Sequence, residues 1–390
     1  MSTTLRGSLV LIVVAGALSA QSFDELSTVR NPQQAYSSLF QVKAGVIGAH
    51  ASSTDKAVGL DDHLGWDGSL YYHTDTFSGS TGVLDAYAGR DGAYIGARNA
   101  HVAGKETMTR LELKARYFAF YREGAYRQHN FVPTGRYEGR DYEAYLGFGR
   151  MAAQDLFVEV GPFYRRNSFS SNDDTEPSFT IPDDFNAYGA RIFLEHNTVQ
   201  MDRQAGVPRQ GFVLTLVGEQ EWNDSAKLWG ADTGAGPSFE MPSAVRRAHG
   251  RMEWYVPQSD ATTWQIFVDG SLSSRRDRVY NYDAQRPQGS LWLDGQLRLR
   301  WQLGDHASLA PFFNLQYVHI ESESGAGTDT KTFIGAGAEG WLHFSDTVSL
   351  NAWYSYLDNE SRPPVSSSRD LHGQHMFFAG MVLRFGAMRR

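Results

Sequence analysis

The chain has 390 residues, with Gly 39, Tyr 19, aromatics at 13% and a mean hydropathy of −0.42, a profile rich in turn formers and strand-favouring rings and too polar for a bundle of lipid-embedded helices. Its 36 Lys+Arg against 44 Asp+Glu give a net charge of −8, which argues against a general nucleic-acid binder and against an anchor held by charge to anionic lipid. Cys 0 removes disulfides, thiolate metal sites and thiol nucleophiles together and suits an oxidising compartment.

Residues 1–20 carry one basic residue, Arg6, followed by an apolar run from Leu9 to Leu18 and the small-residue end Ala17-Leu18-Ser19-Ala20. That run is about half of what a helix needs to cross a roughly 30 Å hydrocarbon core, so it predicts an export signal cleaved after Ser19 or Ala20. Loss of Arg6 with it leaves 35 basic against 44 acidic groups, or −9. Residues 21–38 are expected to be a short polar periplasmic segment with no attached domain. No later stretch reaches 18 apolar residues, which leaves a soluble exported protein or a closed β-barrel. A barrel pairs every backbone group within the protein while alternation halves the apolar character of each strand, so its average composition looks hydrophilic.

The alternation decides between them. Weak strands at 39–51, 64–75, 80–90 and 92–102 are followed by a clear one at 107–123, where Leu111, Leu113, Ala115, Tyr117, Ala119 and Tyr121 oppose Arg110, Glu112, Lys114, Arg116 and Arg122. Further segments are 142–152, 156–169, 185–196, 212–222, 245–256 and 262–274. The clearest is 289–303, where Leu291, Leu293, Leu297, Leu299, Trp301 and Leu303 share one parity, interrupted by Gly295, and Ser290, Asp294, Gln296, Arg298, Arg300 and Gln302 take the other, which also holds Trp292. The series closes with 307–321, 332–344, 347–359 and 374–385. A soluble sheet rarely sustains such a split beyond its usual strand of about 5–6 residues. Short links at 153–155, 258–261, 304–306 and 345–346 alternate with long polar ones at 170–184, 223–244, 275–288 and 360–373, the rhythm of periplasmic turns and surface loops. The reading is an all-β, transmembrane antiparallel β-barrel of about 16 strands, with 14 possible, over residues 39–386 and a C-terminal overhang at 387–390. Aromatic residues near strand ends fit a headgroup belt.

The polar parity supplies the candidate site. Ten basic residues (Arg110, Lys114, Arg116, Arg122, Arg165, Arg191, Arg247, Arg251, Arg298 and Arg300) face six acids (Glu112, Glu159, Glu195, Glu253, Asp269 and Asp294), a mildly basic lumen. Such a lining passes small solutes with an anion bias if open, or stiffens the barrel if its charges pair and plug it. Catalysis finds little: Ser53-Thr54-Asp55-Lys56 matches Ser-x-x-Lys by chance, and His73, His101, His343 and His375 are scattered. His249 and Glu253, about 13 Å apart along a strand, cannot share a metal. No catalytic residue, metal or cofactor is expected, and a Ser–His site at the outer rim is the remaining enzymatic alternative.

From 145 to 302 the chain resembles the bacterial surface antigen barrel superfamily, which includes the outer-membrane insertase, two-partner secretion transporters and patatin-fused barrels. The resemblance rests on the strand Tyr188-Gly189-Ala190-Arg191-Ile192-Phe193-Leu194-Glu195-His196 and the turn marked by Asp202, Pro208 and Gly211. Pro208 fixes φ and Gly211 permits tight entry into the next strand. The hairpin around Gly147-Phe148-Gly149-Arg150 and Gly161-Pro162-Phe163-Tyr164, and Trp254-Tyr255-Val256-Pro257, are similar too. The family's periplasmic POTRA domains are not expected before this barrel, and the loop at 275–288 lacks the inward Val-Arg-Gly-Phe type motif. The apolar parity Phe377, Ala379, Met381, Leu383 and Phe385 resembles the C-terminal signal read by the barrel assembly machinery, the partner expected during insertion. The resemblance implies an outer-membrane barrel with a structural, assembly or translocation-related role; a passive pore is the alternative.

Overall fold

The computed structural model describes residues 36–51, 63–77, 82–89, 92–99, 107–127, 130–171, 175, 177, 179–202, 207–224, 228, 230–231, 242–273, 291–321, 328–357 and 374–388. Sixteen strands form the wall: β1 (Tyr36–Ala51), β2 (His63–Phe77), β3 (Gly82–Gly89), β4 (Gly92–Asn99), β5 (Met108–Arg127), β6 (Asn130–Ala153), β7 (Leu156–Ser171), β8 (Phe185–Asn197), β9 (Val207–Asn223), β10 (Ala244–Pro257), β11 (Thr262–Ser273), β12 (Leu291–Leu303), β13 (Ala307–Glu321), β14 (Thr328–His343), β15 (Val348–Leu357) and β16 (Gln374–Met388). Each pairs antiparallel with its chain neighbours, and β1 pairs with β16 from Tyr36↔Met388 to Ala51↔Gln374, so the sheet closes without a free edge. This is the all-β closed barrel expected from the sequence. Only closure or a helix satisfies backbone groups in hydrocarbon.

Burial follows the two-residue period. On β5, Arg110 and Glu112 are 1% exposed while Leu111 is 50% exposed. Outward positions carry large apolar side chains, such as Leu146, Ile192, Leu297 and Phe313, while the inward ones hold most of the charge. The lumen has two chemically distinct sides. Between β2 and β10 it is lined by ion pairs. Around the β1–β16 seam apolar side chains gather beside the buried Gln41 and Lys43, with Ile47, Phe312, Trp353, Met376 and Phe378 packed together and the rings of Trp353 and Phe378 stacked 6.2 Å apart.

The ends depart from the sequence reading in three places. The barrel begins at Tyr36, not residue 39, and β16 continues past Phe385, with Gly386↔Leu39, Ala387↔Ser38 and Met388↔Tyr36 still paired. Side-chain parity located the boundary at the last apolar residue, whereas the ladder is made by backbone and runs on wherever the partner strand offers a neighbour. Strands β5 and β6 reach 20 and 24 residues, beyond the 107–123 and 142–152 read from parity, and join through Arg127↔Asn130. A tilted span takes only about 9–11 residues, so this hairpin extends past the hydrocarbon, where the polar segment at 130–141 no longer has to alternate. Finally, Gln200–Asp202 folds back on the start of β9, and Phe179–Thr180 pairs with Gly230–Ala231 in a small ribbon outside the wall.

Links of two to four residues after β6, β10, β12 and β14 lie at the end where β1 starts and β16 finishes; links of 13 to 20 residues after β7, β9, β11 and β15 lie at the other. At the long-link end Asp224 accepts hydrogen bonds from Asn186 N at 2.7 Å and Nδ2 at 2.9 Å, which hold its carboxyl below the usual range. The residues 1–35, the Ser53–Lys56 match, His101 and the loop 275–288 lie outside the described residues, as do Ala387's side chain and 389–390.

Candidate functional site

The charged wall is built by strands that carry charged residues at successive inward positions. In β5, Arg110, Glu112 and Lys114 follow at spacing two; in β9, Glu219 and Glu221 do the same. Because neighbouring strands are only about 4.8 Å apart, long side chains reach over one strand to the next but one where the intervening residue is small. Glu159 of β7 crosses Gly147 of β6 to reach Arg110 of β5, and a Cβ at Gly147 would fall on the Glu159 carboxylate. The same device holds Phe163 over Gly189 and Phe312 over Gly337.

Arg110 donates from Nε to Glu159 Oε1 at 2.9 Å and from Nη2 at 2.5 Å, Tyr145 donates to the same oxygen at 2.8 Å, and Arg110 Nη1 lies 3.3 Å from Glu112. Tyr94 donates to Glu112 at 3.0 Å. Lys114, 3.5 Å from Glu112 and 3.7 Å from Glu143, joins this group to the next. There Arg191 bridges Glu143 at 2.8 Å and Glu219 at 2.6 Å. Arg165 bridges Glu143 and Glu221 at 2.5 and 2.6 Å, and Arg247 holds Glu221 through two nitrogens at 2.6 and 3.0 Å. Five cations (Arg110, Lys114, Arg165, Arg191, Arg247) thus meet five carboxylates (Glu112, Glu143, Glu159, Glu219, Glu221) among the described residues. The guanidinium of Arg191 also lies 4.7 Å from the ring of Tyr145, and that of Arg110 4.7 Å from Phe193. A second cluster flanks it on β2–β4, where Asp85 accepts from Tyr71 at 2.7 Å and Arg98 at 2.8 Å and meets His73 Nδ1 at 2.8 Å.

Taking ions out of water costs several kcal/mol each, and attraction offsets this only when geometry and further hydrogen bonds are good. Here the guanidinium groups are each held by at least two carboxylates, while Glu112 Oε2 and Glu159 Oε2 accept no hydrogen bond among the described residues. Such a wall is a packed ionic layer, not a ring of side chains reaching into solvent.

Arg110, Glu112, Lys114, Arg191 and Arg247 are in the network; Arg116 lies at its edge, 3.8 Å from Asp141. Arg251 pairs along its own strand with Glu253 at 2.8 Å, and Arg298 reaches over β13 to Glu339 at 2.6 Å. Arg300 donates to Ser308 at 3.3 Å, and Asp294 stands opposite Asp269 in register. Arg122 lies where only the backbone is described. His249 meets Asp269 at 2.6 Å, and Glu253 is used by Arg251 and Tyr255. At the turn, Gly211 has φ +113°, and a Cβ there would meet the carbonyl of Thr198. Pro208 pairs with Met201 and Asp202 with Val207 in the short hairpin.

Among the described residues the buried charges are nine carboxylates (Asp85, Glu112, Asp141, Glu143, Glu159, Glu195, Glu219, Glu221, Glu339) and six cations (Lys43, Arg98, Arg110, Arg165, Arg191, Arg247). Sequence reading had passed over Glu143, Glu219 and Glu221, although each shares parity with a named inward residue or strand face.

No family model and no curated protein matches the chain. Solved structures do match in fold. CdiB from Acinetobacter baumannii aligns with a TM-score of 0.55 at 10% identity over 90% of this chain and 60% of that one. CdiB from Escherichia coli gives 0.50 at 13% over 88% and 63%. BamA from Haemophilus ducreyi lacking POTRA domains 1-3 gives 0.50 at 12% over 88% and 70%. The chain spans less than two thirds of either CdiB structure. The barrel fold expected from the sequence is thus shared with these solved structures.

Proposed function

We propose that the chain is an integral outer-membrane barrel, exported through the periplasm with both termini on that side, that serves assembly or translocation of other macromolecules with its lumen closed at rest. The observation that carries this is the balanced, buried ion network on β5–β10, where Arg110, Glu112, Glu159 and Glu221 are all at most 1% exposed. A diffusion pore needs charges that face water and exchange partners with passing solute; these charges are buried and paired with one another. The shared fold with CdiB and BamA supports a role of the surface-antigen kind, and lipid and the insertion machinery are the partners it implies.

The wall at β10–β12 is looser, with Arg251, Glu253 and Arg298 side chains 12 to 16% exposed, and this favours the second reading, a passive pore for small solutes. Planar-bilayer recording separates the two. The closed reading expects no stable unitary steps from the wild-type barrel and frequent steps once Glu143→Gln and Arg191→Met are combined. Uniform steps from the wild type would establish the pore. The reading is also non-enzymatic, and turnover of ester-bearing lipid by the purified barrel would overturn that part.

A further inference from the structure

His50 and His375 stand directly opposite each other where β1 meets β16, at the long-link end of the seam. Both are exposed, on the outward parity of Phe40 and Phe385. Side chains opposed across an antiparallel ladder start only about 4.5–5.5 Å apart at Cβ, and here the two imidazole centroids are 6.3 Å apart with their planes tilted by 34°. Ring nitrogens bind a late transition ion at about 2.0–2.1 Å, so two imidazoles that share one keep their centroids within about 6.4 Å. The pair already lies inside that reach. Neighbours on β15 hold one of the rings. Tyr356 is the register partner of His375, its ring 4.9 Å away, and the Tyr354 hydroxyl is 2.7 Å from His375 Nδ1. Metal-binding histidines ordinarily keep such a hydrogen bond at one ring nitrogen and ligate through the other, because the bond fixes the tautomer and the ring's direction. With an ion on Nε2, His375 Nδ1–H donates to Tyr354 Oη. His50 too has a contact beyond this pair, and its two ring nitrogens allow one to be held while the other ligates.

We propose that His50 and His375 form a two-histidine site for a divalent late transition metal, which clasps the first strand of the barrel to the last. Imidazole suits Cu²⁺, Ni²⁺ and Zn²⁺, and of these Cu²⁺ binds a given set of nitrogens most tightly. Among the described residues no third histidine or carboxylate completes a cage, so water fills the remaining positions. The place at the strand ends admits the ion from solvent, and with Cys 0 no thiolate competes for it. Tyr354 is a positioning residue that acts through His375. The site needs only closure of the barrel at this seam and is independent of whether the lumen conducts.

Calorimetric titration of the full-length barrel with Cu²⁺, in mild detergent and a non-chelating buffer, tests this. The wild type should bind one tight Cu²⁺ per chain. His50→Ala and His375→Ala should each weaken that binding by about tenfold or more, and Tyr354→Phe by about tenfold through loss of the ring's orientation. His196→Ala, on the opposite wall, should leave it unchanged. Loss on replacing His375 but not His50 would overturn the shared site, and so would tight binding that survives both replacements. Electron paramagnetic resonance of the Cu²⁺-loaded wild type needs no variant: two imidazole nitrogens on the ion are expected, and one or none overturns the site. An ion bound across the folded seam should also raise the thermal unfolding temperature of the wild type but of neither histidine variant, and an equal rise in all three overturns the clasp.

Discussion

Replacing Arg165 by Met removes one charge from a balanced cluster while nearly preserving volume, so its effect isolates electrostatics from packing. Arg165 contacts Glu143 through Nε at 3.1 Å and Nη2 at 2.5 Å, Glu221 through Nη1 at 2.6 Å, and lies 3.6 Å from Glu219. Without it, five buried carboxylates would face four cations. Removing one partner of a buried pair costs about 3–5 kcal/mol, because the other is left charged and dehydrated. Equilibrium urea unfolding from phospholipid vesicles, followed by tryptophan fluorescence, should therefore show Arg165→Met destabilised by about 3–5 kcal/mol. Glu221→Gln alone should also destabilise, since Arg165 and Arg247 both lose an acceptor. Combining the two restores the charge balance, and the double variant should be more stable than the sum of the singles by about 0.5–3 kcal/mol. Strict additivity, or a loss under about 1 kcal/mol for Arg165→Met, would refute the idea that these ions act as one desolvated unit.

Other perturbations probe separate parts of the same argument. Gly147→Ala puts a methyl group where the Glu159 carboxylate passes and should cost about 1–3 kcal/mol in the same unfolding assay. Gly211→Ala forces a side chain into φ +113° against the Thr198 carbonyl, so limited proteolysis should cut faster between 198 and 211, by the factor expected of about 1–3 kcal/mol of local strain. Leu297→Arg, on the lipid face at mid-strand, should cost about 2–4 kcal/mol and Leu303→Arg, at the strand end, about 0–1. Equal costs at the two sites would argue against a hydrocarbon exterior.

The wall of the barrel was readable because hydrocarbon imposes one chemical choice on alternate residues. β12 shows this well: Leu293, Leu297, Trp301 and Leu303 are outward and exposed, as their parity requires. Where that constraint lapses, so does the signal. The segment 130–141 forms strand outside the apolar band, and the three-residue Gln200–Asp202 is too short to display a period. Parity also located the inward charges, but not their pairing. Glu159 meets Arg110 across an intervening strand because Gly147 leaves room, and two positions 49 residues apart carry no mutual mark in the sequence. Glu219 and Glu221, on a face interrupted by Thr215 and Val217, are harder to place from sequence than the basic residues of the clearest strands.

The seam between β1 and β16 has a consequence for biogenesis. Gln41 accepts a hydrogen bond from Arg384, 343 positions later, and Phe40 stacks on Phe385 across the same junction. Until those two ends meet, the nascent sheet presents two raw margins, each lined with unmet amides and carbonyls that an oily solvent penalises. Stitching must therefore await delivery of the final segment, and a molecule stalled one strand short would be a sticky half-cylinder, exposed to proteases and prone to recruiting a stray strand from elsewhere.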